Sequence, residues 1–154
     1  MSHRYPWLQK LSHRGRSNIM VKYVPFKAPY ENILPRLIDF NSPSHVSAKE
    51  LYDRMPADQL NWRIVTNVSA KQVPYAILRN HTRNRYYAAF SLALKEQGYH
   101  TNGKLLKDAL GAGHGPQQPL KGTLELYVFH NKVNDMAFDK LRNDAALVIE
   151  AVRK

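Results

Sequence analysis

The sequence predicts an α+β fold: a small, mostly antiparallel sheet with helices packed on one face, preceded by a basic N-terminal extension. Three observations carry this. Thr123-Leu124-Glu125-Leu126-Tyr127-Val128 alternates polar and apolar residues, the period of a strand. Ala137, Leu141, Ala145, Val148 and Val152 recur at steps of four, four, three and four, the stripe of an amphipathic helix. Strand-like and helix-like stretches are mixed rather than strictly alternating, which separates α+β from a parallel α/β sheet.

The elements follow in order. Residues 18–24 are apolar and β-branched and stop at Pro25, so they read as extended. Pro25, Pro29 and Pro35 then break the chain, with a short helix at about residues 35–40, where Pro suits a first turn. Ser47 and Glu50 form a capping box for a helix ending before Pro56. Residues 62–68 alternate Trp62, Ile64, Thr66 and Val68 against Arg63, Val65 and Asn67, a strand. Residues 73–78 read as a second strand, and the polar residues between suggest a hairpin. Residues 86–95 fit two periods. Phe90, Leu92 and Leu94 alternate as in a strand, whereas Tyr86, Phe90 and Leu94 are spaced as in a helix ending at Gly98. A helix is expected from about Gly103 to Leu110, capped by Thr101 or Asn102 and closed by Gly111. Residues 111–119 (GAGHGPQQP) read as a loop, residues 123–129 as a strand, and a last helix starts at Asn134 or Asp135. The expected organisation is a basic extended arm, residues 1–17, and a single α+β RNA-binding domain, residues 18–154.

Charge narrows the function. The chain of 154 residues has 23 Lys and Arg against 12 Asp and Glu, a formal charge of +11, which favours an anionic partner. Residues 1–30 carry six basic side chains and no acid; residues 63–107 carry eight, and Glu96 is the one acid among them. The basicity therefore sits in the arm and in a central block.

Several chemistries are excluded or unsupported. With no Cys there is no disulfide, thiolate metal site or cysteine nucleophile. No apolar run approaches the roughly 20 residues of a membrane-spanning helix. The seven histidines show no helical pair at metal-ligand spacing, so no metal and no cofactor is expected. Gly111-Ala112-Gly113-His114-Gly115 leads into a Pro- and Gln-containing loop rather than a helix N-terminus, so it is no phosphate cradle. No nucleophile–base pair stands out, and the chain is not expected to be an enzyme.

The candidate site is the central block. Arg79-Asn80-His81-Thr82-Arg83-Asn84-Arg85-Tyr86-Tyr87 places three arginines, one histidine, two asparagines and two tyrosines in nine residues without an acid. Arginine grips phosphate with a planar fork, and aromatic rings stack on unpaired bases. After a predicted strand, such a segment is expected in a loop or at a strand end. The bland alternative is a solvated basic turn whose tyrosines belong to the core. The expected RNA-binding set is Arg4, Arg14, Arg16, Arg63, Lys71, Arg79, His81, Arg83, Asn84, Arg85, Tyr86, Lys104 and Lys107. The arm itself has three readings: a nucleic-acid-binding tail, an organelle targeting sequence, or a terminus with no partner.

Pro74-Tyr75-Ala76-Ile77-Leu78-Arg79 followed by Asn84 resembles a motif of the integrity-of-mitochondrial-genome family of large-subunit ribosomal proteins, whose fold is similar to the SUI domain. The likeness runs over about residues 73–142, through Leu105 to Leu110 and Gly122-Thr123-Leu124. Where the family has an aliphatic–Pro pair after its Asn, this chain has Arg85-Tyr86. The resemblance implies a mitochondrial matrix protein, ribosomal RNA and neighbouring ribosomal proteins as partners, no small-molecule substrate, no catalysis, and a strand at residues 90–95. The function expected is a structural component of the mitochondrial ribosome, the large subunit favoured, that binds ribosomal RNA through arm and block. The alternatives are a free-standing RNA-binding translation or assembly factor, and an enzyme on an anionic substrate.

Overall fold

The strand Gly122–Val128 organises the molecule, because it is hydrogen-bonded on both edges and covered on both faces. The structure, a computed structural model, describes residues 5–6, 8–10, 19–66, 76–106, 118–128 and 136–153. In chain order these form β1 (Gln9–Lys10), β2 (Ile19–Val24), α1 (Leu34–Ile38), α2 (His45–Arg54), β3 (Leu60–Thr66), α3 (Ala76–Glu96), β4 (Gly122–Val128) and α4 (Phe138–Arg153). The fold is α+β, with one four-stranded sheet in the order β1-β2-β4-β3. The β1/β2 and β2/β4 pairs are antiparallel. The β3/β4 pair is parallel, with Leu60 opposite Gly122 and Thr66 opposite Val128.

That parallel pair corrects the expected hairpin. Residues 73–75 lie outside the described residues, but Ala76, Ile77 and Leu78 open a helix rather than continue a strand. Parallel neighbours cannot be joined by a tight turn and need a crossover. The crossover here contains α3, and its register resolves the two periods of residues 86–95 in favour of the helix. Thr82, Tyr86, Phe90 and Leu94, four apart, are all fully buried, with Ala89 and Ala93 beside them. The strand that the family resemblance implies at residues 90–95 is therefore helix. Gly98 ends α3 at φ 90°. The Gly98 N–H donates to Lys95 O (3.1 Å) and the Tyr99 N–H to Leu94 O (2.9 Å), the paired bonds of a Schellman cap.

Three smaller expectations are also corrected. Residues 103–106 are not helical: Tyr99 and Leu105 form an antiparallel bridge, and the Leu106 N–H donates to Gly98 O at 2.9 Å. Residues 107–110 and Gly111 lie outside the described residues. α2 starts two residues before Ser47, whose hydroxyl donates back to Ser44 O at 3.1 Å, so the capping box does not form. α4 begins at Phe138. Ala137 is exposed, and Ile149 joins the buried stripe in its place.

The two long helices lie on one sheet face. Leu124, Leu126 and Val128 of β4 meet Phe90 and Leu94 of α3 and Leu141, Ala145 and Val148 of α4 in one core cluster, all fully buried. α3 and α4 run side by side in the same direction. Arg85, midway along α3, donates to Met136 O just before α4, and Gln97, just past the end of α3, donates its Nε2–H to Ala146 O (3.2 Å) midway along α4. The opposite sheet face is covered by the Pro-rich segment after β2. The Ala28 N–H donates to Thr123 Oγ1 (2.9 Å), and the Glu31 N–H to Glu125 Oε1 (2.8 Å). Part of the basic arm belongs to this body too. Gln9 and Lys10 pair with Tyr23 and Lys22, and Leu8 is buried with Val24 and Ala28.

Candidate nucleic-acid interface

The central block is a helix surface rather than a loop. Residues four apart on a helix form one ridge, each step rising about 6 Å and turning about 40°. On α3 one such ridge is Arg79, Arg83, Tyr87, Ser91 and Lys95. Arg83, Tyr87 and Lys95 are exposed, and Arg79 is half-buried. Asn80 and Asn84 lie on the next outward row and are exposed, as is His81.

Helical geometry splits the nine-residue cluster that looks continuous in sequence. Arg85 is six residues from Arg79, about 120° around the axis. It sits on the α4 side, where its guanidinium bonds Met136 O. Tyr86, expected on the binding surface, is fully buried. Burial pushes its phenol pKa well up, and Asp144 adds to the shift. The exposed ring of the pair is Tyr87, at 51% exposure. It stacks on Trp62 of β3, ring centroids 4.9 Å apart and planes 23° apart. Trp62 is itself fixed: its indole N–H donates to Thr101 O (2.7 Å), and its ring packs on Phe90 at 4.6 Å. Sequence reasoning had no route to this pair, whose members are 25 positions apart. The signal available was the exposed phase of Tyr87 relative to the buried row.

Lys104 is exposed on the turn after α3. That turn is anchored: the Leu60 N–H donates to Asn102 O (2.8 Å) and the Leu120 N–H to Gly103 O (2.9 Å). Gly103 has φ +83°, and a Cβ there would lie 2.6 Å from Leu120 O and 2.7 Å from Leu60 Cβ. Only glycine fits this position. Glu96, the one acid of the block, faces Arg142 at 3.4 Å. Arg4, Arg14, Arg16, Lys71 and Lys107 lie outside the described residues.

Arg63 belongs elsewhere. It lies on the sheet face opposite the long helices, with Nε 3.1 Å from Glu125 Oε1 and its guanidinium carbon 5.1 Å from the centre of the Tyr30 ring. Glu125 is fully buried. Its carboxylate also receives the Glu31 N–H (2.8 Å) and the Tyr127 hydroxyl. Tyr127 lies 2.5 Å from Glu31 Oε2 as well, and Lys22 pairs with Glu31. One hydroxyl proton serves one carboxylate at a time, and Lys22 and Arg63 balance the two acids. Burial, followed by the Glu125 and Glu31 hydrogen bonds, pushes the Tyr127 phenol far above its ordinary pKa. Burial also pushes Tyr30 up to about 12, with Arg63 opposing and Glu125 adding. Burial of Glu31 acts to raise its pKa, but the Lys22 and Tyr127 hydrogen bonds and the Lys22 and Arg63 charges outweigh it, and its carboxyl lies below the ordinary value. This network was not legible in sequence, because its members come from four separated segments.

Among the described residues no three His, Asp or Glu side chains are grouped to hold a metal ion, and no helix is long and apolar enough to cross a membrane. Comparison with protein-family models, with curated proteins and with solved structures finds no match for this chain.

Proposed function

We propose that this chain is a structural RNA-binding protein and that the outward ridge of α3 is its principal contact. The observation that carries the reading is Tyr87. It is an exposed ring stacked on a hydrogen-bonded Trp62, with Arg83 one turn before it and Lys95 two turns after it. A ring whose orientation is already fixed loses little freedom when a base stacks on it. The flanking cations meet phosphate, and the net charge of +11 supplies long-range attraction. The Pro74-to-Asn84 motif points to ribosomal RNA and to the mitochondrial ribosome, the large subunit favoured, with neighbouring ribosomal proteins as further partners. The helix at residues 90–95 leaves that motif, rather than the family's strand, as the support. No step of this reading requires catalysis.

Fractionation of ribosomal particles tests it. A structural subunit co-sediments with the large subunit and stays through a high-salt wash. Release by the wash marks a free-standing factor, and absence from particles in the unwashed extract overturns the ribosomal assignment.

A further inference from the structure

Beside the Tyr87–Trp62 stack, α3 and the turn at residues 99–106 enclose an open cleft of about 460 Å³. We propose that this cleft holds one unpaired nucleotide of a single-stranded RNA segment; the proposal rests on the RNA-binding reading above and names the form of RNA it takes.

The walls are mainly apolar, from Leu92, Leu106 and the Tyr99 ring, while Lys95 and His100 supply basic groups. Two hydroxyls in the lining residues, Ser91 Oγ and Tyr99 OH, are closed off from solvent and have no hydrogen-bond partner among the described residues. Tyr99 as a whole is 1% exposed. Buried hydroxyls are nearly always satisfied, and both orphans belong to residues that line this one small cleft. Each hydroxyl both donates and accepts, so each can meet either kind of polar group on a bound base. The complement of these walls is a flat apolar ring with a polar edge and an attached anion, which is a nucleotide.

Position supports the same occupant. Thr101, whose carbonyl receives the Trp62 indole N–H at 2.7 Å, lines the cleft, so the stacking platform and the cleft share a wall. Ser91 is one ridge step from Tyr87, about 6 Å along the helix. A strand with one base on Tyr87 therefore presents its next nucleotide to the cleft. The far wall is preformed: the His100 N–H donates to Lys104 O (2.8 Å), and the turn is tied to Leu60 and Leu120.

The test uses the full chain, ¹⁵N-labelled, titrated with uridine and adenosine 5′-monophosphates, then with ribose 5-phosphate and inorganic phosphate. The nucleotides should move the amide signals of Ser91, Leu92, Tyr99 and His100 saturably, and the two controls should not. Ser91→Ala/Tyr99→Phe should weaken nucleotide binding at least fivefold with melting temperature kept. If that variant fails to fold, Lys95→Gln, at an exposed position, should weaken the monophosphates but not the free nucleosides. Absence of saturable shifts, equal shifts with inorganic phosphate, or unchanged affinity in the variant that folds overturns the cleft. A single-stranded oligoribonucleotide is titrated in parallel. If it binds with steep salt dependence while the cleft signals stay still, the cleft proposal alone fails. If it does not bind, the RNA-binding reading fails and takes the cleft proposal with it.

Discussion

Arg63 Nε lies 3.1 Å from Oε1 of the fully buried Glu125, so the first arginine of the central basic block is tied to the sheet. Removing one partner of a fully buried ion pair typically costs about 3–5 kcal/mol. Arg63 is partly exposed and Glu125 keeps the Glu31 N–H and Tyr127 bonds, so the cost here lies below that range. Arg63→Ala should therefore lower the urea midpoint. Its RNA affinity, measured below the melting transition, should stay near wild type. A stable Arg63→Ala protein with weakened RNA binding would reverse that assignment.

Glu31 makes stability depend on acid. Its folded pKa lies below the ordinary value, so the unfolded chain binds the proton more readily. Its contribution is present above the unfolded carboxylate pKa and is lost as pH falls through the folded one. Urea midpoints should thus decline below about pH 5, with Glu31→Gln showing a shallower decline than wild type. At the alkaline end Tyr30, at about 12, acts in the opposite sense. Its phenol ionises more easily unfolded, and stability should fall as pH rises above about 10.

Tyr86 and Tyr87 should behave as opposites. Tyr86 is fully buried, and its hydroxyl has no hydrogen-bond partner among the described residues. Tyr86→Phe removes an unsatisfied buried group and should leave stability equal or higher, whereas Tyr86→Ala should cost about 3–5 kcal/mol through the cavity it opens. Tyr87→Ala should lower RNA affinity by about 1–3 kcal/mol with an unchanged salt slope. Thermal melts together with binding isotherms at three salt concentrations separate the two.

Basic residues on the two flanks of α3 should also separate. Arg83→Ala and Lys95→Ala should each reduce the log–log salt slope of RNA binding by up to about one unit. Arg85→Ala breaks the tie to Met136 and should appear in the melting temperature instead. Equal salt slopes for wild type and an Arg83→Ala/Lys95→Ala double variant would remove the ridge from the interface.

Gly103→Ala should destabilise the turn that walls the cleft. A positive φ strains any residue with a Cβ by about 1–2 kcal/mol, and that Cβ would meet the Leu120 carbonyl at 2.6 Å. The loss should be visible as a lower melting temperature and as faster amide exchange at His100 and Lys104.

By itself the sequence determined the α+β class, β2, β4, the stripe of α4 and the concentration of positive charge, because each is a local quantity. Alternation in residues 123–128 has one reading on a sheet, and a stripe at steps of three and four has one reading on a helix. The tertiary structure alone decided the path between β3 and β4. Val73, Ile77 and Leu78 are as apolar as a strand requires, yet Ile77 is 81% exposed in the first turn of a helix. What selects helix there is the distant requirement that β3 lie parallel to β4, which a hairpin cannot meet. The same choice placed the cations. A helix turns about 100° per residue, so it sends Arg83 and Tyr87 outward, Tyr86 into the core and Arg85 toward α4. The partners of Tyr87 and Glu125 lie 25 and 62 positions away, at Trp62 and Arg63, and pairs so far apart exist only once the sheet has closed.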